Sequence, residues 1–133
     1  MTSRSIGYAR TSGGGDTKQA AGLEVQVKAL KDAGCAVVFQ EIVSTRTAEK
    51  DRPQLQAALN AVVEGDEICL TALSRIGRTQ REVINRLHDL QEKGIHVRTL
   101  DGLVNTKAMG KMAPVLIGLL TGLNEVEREM TRD

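Results

Sequence analysis

Aromatic side chains are nearly absent from this chain, which has one Tyr, one Phe and no Trp among 133 residues. Proteins that bind single-stranded nucleic acid by base stacking need aromatic platforms, so the composition argues against that class. The core must be aliphatic, and a chain of this length is large enough to bury one such core.

An excess of charge of either sign is also missing. Eighteen Lys and Arg stand against 17 Asp and Glu, which gives a net charge of +1. Overall charge therefore does not indicate a DNA-binding protein. Any contact with nucleic acid must come from a local cluster of arginines, or from a part of the protein outside this chain.

Cysteines and long apolar runs are equally scarce. Cys35 and Cys69 lack the spacing of a zinc site or of a disulfide framework, so we predict buried free thiols in a cytosolic protein. The first residues contain no apolar segment typical of a secretory signal. The apolar stretch 114–123 is too short to span a bilayer. We expect a cytoplasmic protein without metal or membrane contacts.

What is present is an alternation of short β-rich runs and amphipathic helical stripes. The predicted strands are 6–9, 36–43, 67–73 and 95–100, and the helical stripes start near residues 23, 53 and 79. Residues 11–22 are rich in Gly, Ser, Asp and Thr and are predicted to be a mobile loop. The pattern predicts an α/β fold with a mainly parallel central sheet and helices on both faces.

The last section, 105–133, differs from the core at 1–104. It is strongly apolar, interrupted only by Pro114, and ends without a capping signal. We predict the start of a long C-terminal interface helix, in which Leu116 and Leu120 contribute to subunit packing. A chain that stops within a helix is expected to be a fragment of a longer protein.

Two clusters of polar residues follow predicted strands. The first is Tyr8-Ala-Arg10-Thr-Ser12, and the second is Arg75-Ile-Gly-Arg78. Loops at the carboxyl ends of parallel strands form sites, and a hydroxyl beside guanidinium groups suits attack on a phosphodiester. Taken alone, the first pattern favours a flexible linker, and a solvated helix face explains the second equally well.

Read together and in order, these motifs are more specific. With Leu23-Glu-Val-Gln26, Asp51-Arg52-Pro and the later Gly110-Lys-Met112, they resemble the serine recombinase (resolvase/invertase) family over nearly the whole chain. The resemblance implies a catalytic domain that cleaves and rejoins DNA without a metal or other cofactor, through a covalent 5′-phosphoserine intermediate.

The resemblance also implies roles for individual residues. Ser12 matches the nucleophile, and the arginines that bind and activate the scissile phosphate match Arg10, Arg75 and Arg78. The remaining phosphate or DNA contacts match Tyr8, Gln26, Ser44 and Arg52. One departure stands out, because Ser74 occupies the position where the family usually has Asp, and the general acid and base stay unassigned.

The implied partners are double-stranded DNA and further copies of the chain, as a homodimer and as a homotetramer during synapsis. A DNA-binding domain is expected beyond residue 133. Two alternatives remain open. One is a catalytically weak or inactive DNA-associated assembly domain of the same fold, and the other is an α/β domain that binds a small molecule.

Overall fold

A four-stranded parallel sheet forms the centre of the fold. In the computed structural model the described residues are 4–11, 17–42, 53–77 and 79–130, and the side chains of 17–21 and 127–130 are outside the description. The strands are β1 (Ser5–Thr11), β2 (Val37–Ile42), β3 (Glu67–Leu70) and β4 (His96–Thr99). They are ordered β2-β1-β3-β4, and every pairing is parallel.

Among the described residues, five α-helices and a short 3₁₀ helix (Leu73–Arg75) connect and flank the strands. The α-helices are α1 (Thr17–Asp32), α2 (Pro53–Ala61), α3 (Gln80–Glu92), α4 (Thr106–Met109) and α5 (Met112–Met130). Thr79 caps α3, where its hydroxyl accepts a hydrogen bond from the Glu82 N–H at 3.1 Å. This agrees with the helical stripe predicted to start near residue 79.

Side chains of the sheet pack on both faces because successive residues of a strand point to opposite sides. Ile6 and Tyr8 of β1 belong to the larger core cluster, with residues of α2, α3 and α5. Ala9 belongs to a smaller cluster with Leu23 and Leu30 of α1. The predicted α/β class, with helices on both faces of a parallel sheet, is confirmed.

The C-terminal section is divided into two helices at Gly110, where φ is +58°. Pro114 does not interrupt α5, because it lies in the first turn, where a proline removes no helical hydrogen bond. α5 buries Ala113, Ile117 and Asn124. Its exposed apolar residues are Met112, Val115, Leu116, Leu119, Leu123 and Val126. Among the described residues, no helix is long and apolar enough to cross a membrane.

Two boundaries differ most from the predicted ones. Residues 17–22 were predicted as loop but form the first turns of α1. The prediction was wrong because the Gly and polar residues in this segment are typical of loops. β3 ends at Leu70 rather than at Leu73, and Leu73 opens the 3₁₀ helix. This short helix forms because Leu73 and the fully buried Ile76, three residues apart, both pack into the core.

Candidate active site

The candidate site lies at the carboxyl ends of the neighbouring strands β1 and β3, whose following connections run to opposite sides of the sheet. From β1 the chain crosses to β2 on one side, while β3 pairs with β1 on the other. The β1–β3 ladder covers only Ser5 to Gly7, so the last residues of β1 extend past β3. In open parallel sheets, ligands bind in the crevice at such a switch point, outside the carboxyl ends of the strands.

Arg10 lies at this end of β1 and is buried, with 1% of its surface exposed. Its Nη2 donates to the Ser74 carbonyl at 2.7 Å, and its Nε donates to the Arg75 carbonyl at 3.3 Å. Both acceptors belong to the 3₁₀ helix after β3. The guanidinium of Arg10 therefore fixes the second polar cluster against the first.

Gln26 of α1 holds the backbone of Arg10 from the other face of the sheet. Its Oε1 accepts from the Arg10 N–H at 3.2 Å, and its Nε2 donates to the Arg10 carbonyl at 3.0 Å. The Thr71 hydroxyl, just after β3, is 3.5 Å from the same Oε1. β3 no longer pairs with β1 at this point, and the amide of Gln26 forms hydrogen bonds with both main-chain groups of Arg10 instead.

Arg75 is half-buried, and its Nε is buried without a hydrogen-bond acceptor among the described residues. Buried guanidinium donors are normally satisfied, so this atom is suited to an anion. The following turn is tight, because a Cβ at Gly77 would lie 3.0 Å from the Val83 nitrogen. Only glycine allows the segment after Arg75 to approach the start of α3 this closely.

Tyr8 lies deeper than the arginines and has no exposed surface. Its hydroxyl donates to Glu41 Oε2 at 2.6 Å. Glu41 also accepts from the Gln54 and Leu55 N–H groups, at 3.2 and 3.0 Å, and so caps the amino terminus of α2. In this arrangement Tyr8 connects β1 to the start of α2.

The structure therefore brings together three of the predicted site residues, Arg10, Gln26 and Arg75, and places Tyr8 beneath them in the core. The other four lie outside the described residues, and these are Ser12, Ser44, Arg52 and Arg78. The catalytic and phosphate-binding roles of all eight stay predictions.

Ser74 stands where the family usually has Asp, and this difference does not affect the contact that holds Arg10. The Ser74 side chain is exposed, while its main-chain carbonyl accepts the 2.7 Å hydrogen bond from Arg10. A main-chain contact does not depend on the side chain, so serine makes it as aspartate would. The position of Arg10 is consequently independent of a carboxylate at residue 74.

Sequence reasoning missed Glu41, Thr71 and Thr11. Glu41 and Thr71 act through contacts with residues 33 and 45 positions away, which no local spacing reveals. The Thr11 hydroxyl is buried, with no hydrogen-bond partner in the described part of the chain, and the residue directly precedes Ser12. The sequence feature that could have indicated a role for Thr11 is its position between Arg10 and Ser12.

Comparison with known proteins gives a consistent picture. The family model described as "Resolvase, N terminal domain" matches residues 5–133. The chain is 35% identical over 127 residues to "Serine recombinase gin" of Escherichia phage Mu, covering 94% of this chain and 60% of that protein. It is 33% identical over 126 residues to "DNA-invertase" of Escherichia phage P1, covering 94% and 62%. The chain thus spans about three fifths of the length of these relatives.

Solved structures match the fold at lower sequence identity. The N-terminal catalytic domain of TP901-1 integrase superposes with a TM-score of 0.70 at 17% identity, covering 96% of this chain and 98% of that one. A resolvase family site-specific recombinase from Streptococcus pneumoniae gives 0.65 at 18% identity, covering 98% and 91%. These likenesses concern the fold alone.

Proposed function

This chain belongs to the resolvase N-terminal domain family, and we propose that it is the catalytic domain of a serine recombinase that cuts and rejoins double-stranded DNA at specific sites. The observation that carries the proposal is the meeting of Arg10 and Arg75 at the switch point of the sheet, next to the segment that leads to Ser12. The Nε of Arg75 is buried and has no acceptor among the described residues, which supports its assignment as a donor to a phosphate oxygen.

In the proposed reaction, the Ser12 hydroxyl oxygen attacks the phosphorus of the scissile phosphodiester. A bond forms between that oxygen and phosphorus, the serine hydroxyl gives up its proton, and the bond from phosphorus to the 3′ oxygen breaks. The DNA keeps a 5′-phosphoserine link, and the released 3′ oxygen takes up a proton. Attack by a 3′-hydroxyl on the phosphoserine reverses the step and joins the strands, so no external energy source or cofactor is needed.

Arginine supplies the electrostatic stabilisation in this proposal. A guanidinium binds two phosphate oxygens in a fork and stabilises the negative charge that develops in the transition state. We assign this role to Arg75 and Arg78, with Arg10 holding the segment that carries them, and with Arg52 as a further phosphate ligand. Ser44 completes the proposed set of DNA contacts, whereas the buried Tyr8 and Gln26 are proposed to support the site by positioning the end of β1.

Subunit assembly is assigned to α5. The exposed apolar side chains of this helix form one continuous stripe, while Ile117 on the opposite side is buried against the core. Leu116 belongs to the stripe, whereas Leu120 is half-buried and lines a cavity of about 410 Å³ between α3 and α5. We propose that the stripe packs against further copies of the chain, in a homodimer and in a homotetramer during synapsis.

Sequence recognition is assigned to a DNA-binding domain that follows residue 133 in the full-length protein. Phosphate chemistry would then reside in this chain, and most of the affinity for DNA would come from that domain. We expect the recombinase to act in the cytoplasm.

The test uses protein extending past residue 133, supercoiled DNA carrying its recombination site, and a detergent quench. We expect protein held covalently at a DNA 5′ end in the wild type, and no such link in Ser12→Ala. A link that survives in Ser12→Ala would exclude Ser12 as the nucleophile. Absence of a link in the wild type, despite binding to the site, would favour an inactive assembly domain of the same fold.

A second pair of variants tests the arginine assignment. Arg75→Ala should slow formation of the covalent link by about 100-fold or more, the usual effect of removing one donor that stabilises transition-state charge. Arg81→Ala is the matched control, because Arg81 is an exposed arginine at the start of the neighbouring helix. Equal losses in both variants would indicate general charge attraction rather than a specific phosphate ligand.

A further inference from the structure

The last residue of β1, Thr11, carries a hydroxyl that is buried and has no hydrogen-bond partner among the described residues. The residue as a whole is 6% exposed. The large majority of buried polar side-chain atoms are hydrogen-bonded, so each exception requires an explanation. Burial of a bare hydroxyl destabilises the folded chain, whereas valine has nearly the same shape and a similar preference for strands. Stability of the fold alone therefore does not explain threonine at this position.

The side chain of Thr11 lies on the face of the sheet that α1 covers. Alternation along β1 places it on the same side as Ala9, which packs with Leu23 and Leu30 of α1. A Cβ built at Gly22 of α1 would lie 3.9 Å from its methyl carbon. β3 no longer pairs with β1 at this level. Packing against α1 thus explains the burial of the methyl group, but it gives the hydroxyl no partner.

The residue before Thr11 is held through both its main chain and its side chain. The Arg10 N–H and carbonyl are bonded to Gln26, and the guanidinium donates to two carbonyls of the 3₁₀ helix. Thr11 is the next residue after this anchored position, and it directly precedes Ser12. Threonine hydroxyls commonly bond main-chain groups within a few residues along the chain. The hydroxyl of Thr11 is therefore suited to hold the chain that follows it.

We propose that Thr11 is a positioning residue for the nucleophile. Its hydroxyl is unbonded in the DNA-free chain and bonds a main-chain group of the segment that carries Ser12 when that serine faces the DNA phosphate. This inference rests on the proposed function, because it concerns the orientation of the attacking group. The hydrogen bond belongs to the reactive arrangement, so it contributes to the rate of attack at saturating DNA and not to the affinity for DNA.

The test compares two variants in two measurements. Thr11→Val removes the hydroxyl and keeps the shape of the side chain, whereas Thr11→Ser keeps the hydroxyl. Urea unfolding of the DNA-free protein is followed by circular dichroism. The rate of covalent-link formation is measured with protein extending past residue 133, at saturating supercoiled DNA that carries its recombination site.

Thr11→Val should unfold at a higher urea concentration than the wild type, because it no longer buries an unbonded hydroxyl. Its covalent link should form about tenfold more slowly, the effect of losing one hydrogen bond in the reactive arrangement, at unchanged affinity for DNA. Thr11→Ser should form the link at nearly the wild-type rate, although loss of the methyl contact with α1 lowers its urea midpoint.

Thr99→Val is the matched control. Thr99 is also a buried threonine at the last position of a strand, with 3% of its surface exposed. Its hydroxyl, however, is bonded, since it accepts from the Val104 N–H at 3.0 Å. Thr99→Val should therefore lower the urea midpoint and leave the rate of link formation unchanged. Opposite effects of the same substitution at the two positions distinguish a positioning hydroxyl from a structural one.

The outcomes that contradict the inference are distinct from those that contradict the proposed function. A lower urea midpoint in Thr11→Val would show that the hydroxyl is already bonded in the DNA-free chain, and the inference would be wrong. An unchanged rate in Thr11→Val, or a rate in Thr11→Ser as low as in Thr11→Val, would overturn it while the wild-type link upheld the proposed function. Absence of the link in the wild type would overturn both.

Discussion

The contact between Gln26 and the backbone of Arg10 makes a sharp prediction, because a single amide satisfies two main-chain groups. Gln26 is 7% exposed, and both hydrogen bonds to Arg10 are buried. Gln26→Met keeps an unbranched side chain of similar volume and removes both the donor and the acceptor. The Arg10 N–H and carbonyl then lose their hydrogen bonds to Gln26 without a large cavity being created.

The size of the effect follows from these two groups. A buried polar group that loses its hydrogen bond costs about 1–3 kcal/mol, so two such groups give roughly 2–6 kcal/mol in the free energy of unfolding. Urea unfolding measures this difference as a lower midpoint at unchanged m-value. Glu24→Met is the matched control, since it introduces the same side chain at an exposed position of the same helix. It should change stability by less than about 0.5 kcal/mol.

A loss below about 1 kcal/mol in Gln26→Met would refute the reasoning. It would mean that water reaches the end of β1 and replaces the amide, and that Gln26 does not position Arg10. If Gln26→Met showed the whole predicted decrease in the free energy of unfolding but cleaved DNA like the wild type, its effect on stability would be separate from any effect on catalysis. It would then leave Gln26 a structural residue only.

Three further predictions concern acid stability, packing and assembly. Hydrogen bonds from Arg4 and Val63 lower the pKa of the buried Asp66 carboxyl below its ordinary 3.8, so this stabilisation is present above that pH and is lost as the pH falls through the lowered pKa. Asp66→Asn should therefore flatten the acid limb of stability in urea titrations, and an unchanged limb would contradict this. Gly7→Ala should destabilise the fold by about 1–3 kcal/mol in the same assay, since its Cβ would lie within 3.3 Å of three neighbouring side-chain atoms, and a neutral result would show that Leu30, Cys35 and Val38 can shift to make room. Leu119→Glu should lower the oligomer mass in sedimentation, because Leu119 is 61% exposed on α5, and an unchanged mass would exclude its side of the helix as the interface.

The sequence by itself determined the features that depend on near neighbours. Strand and helix periodicity gave the parallel α/β architecture, because side-chain burial repeats every two or about 3.6 residues along the chain. The start of α3 near residue 79 was readable from the same periodicity, and Thr79 caps it through a backbone group only three residues away. Arg10 and Arg75 were identifiable as partners because each follows a strand, and parallel strands end at the same edge of the sheet.

Only the tertiary structure decided how these residues are held. Tyr8 donates to Glu41, Gln26 binds the backbone of Arg10, and Arg10 binds the carbonyl of Ser74. Each contact joins residues 16 to 64 positions apart, and each depends on strand register and on where a helix crosses the sheet. The buried free thiols predicted from spacing are confirmed, and packing brings both into the cluster that α1 covers. Spacing along the chain carries no information about such distances, and packing of the whole domain sets them.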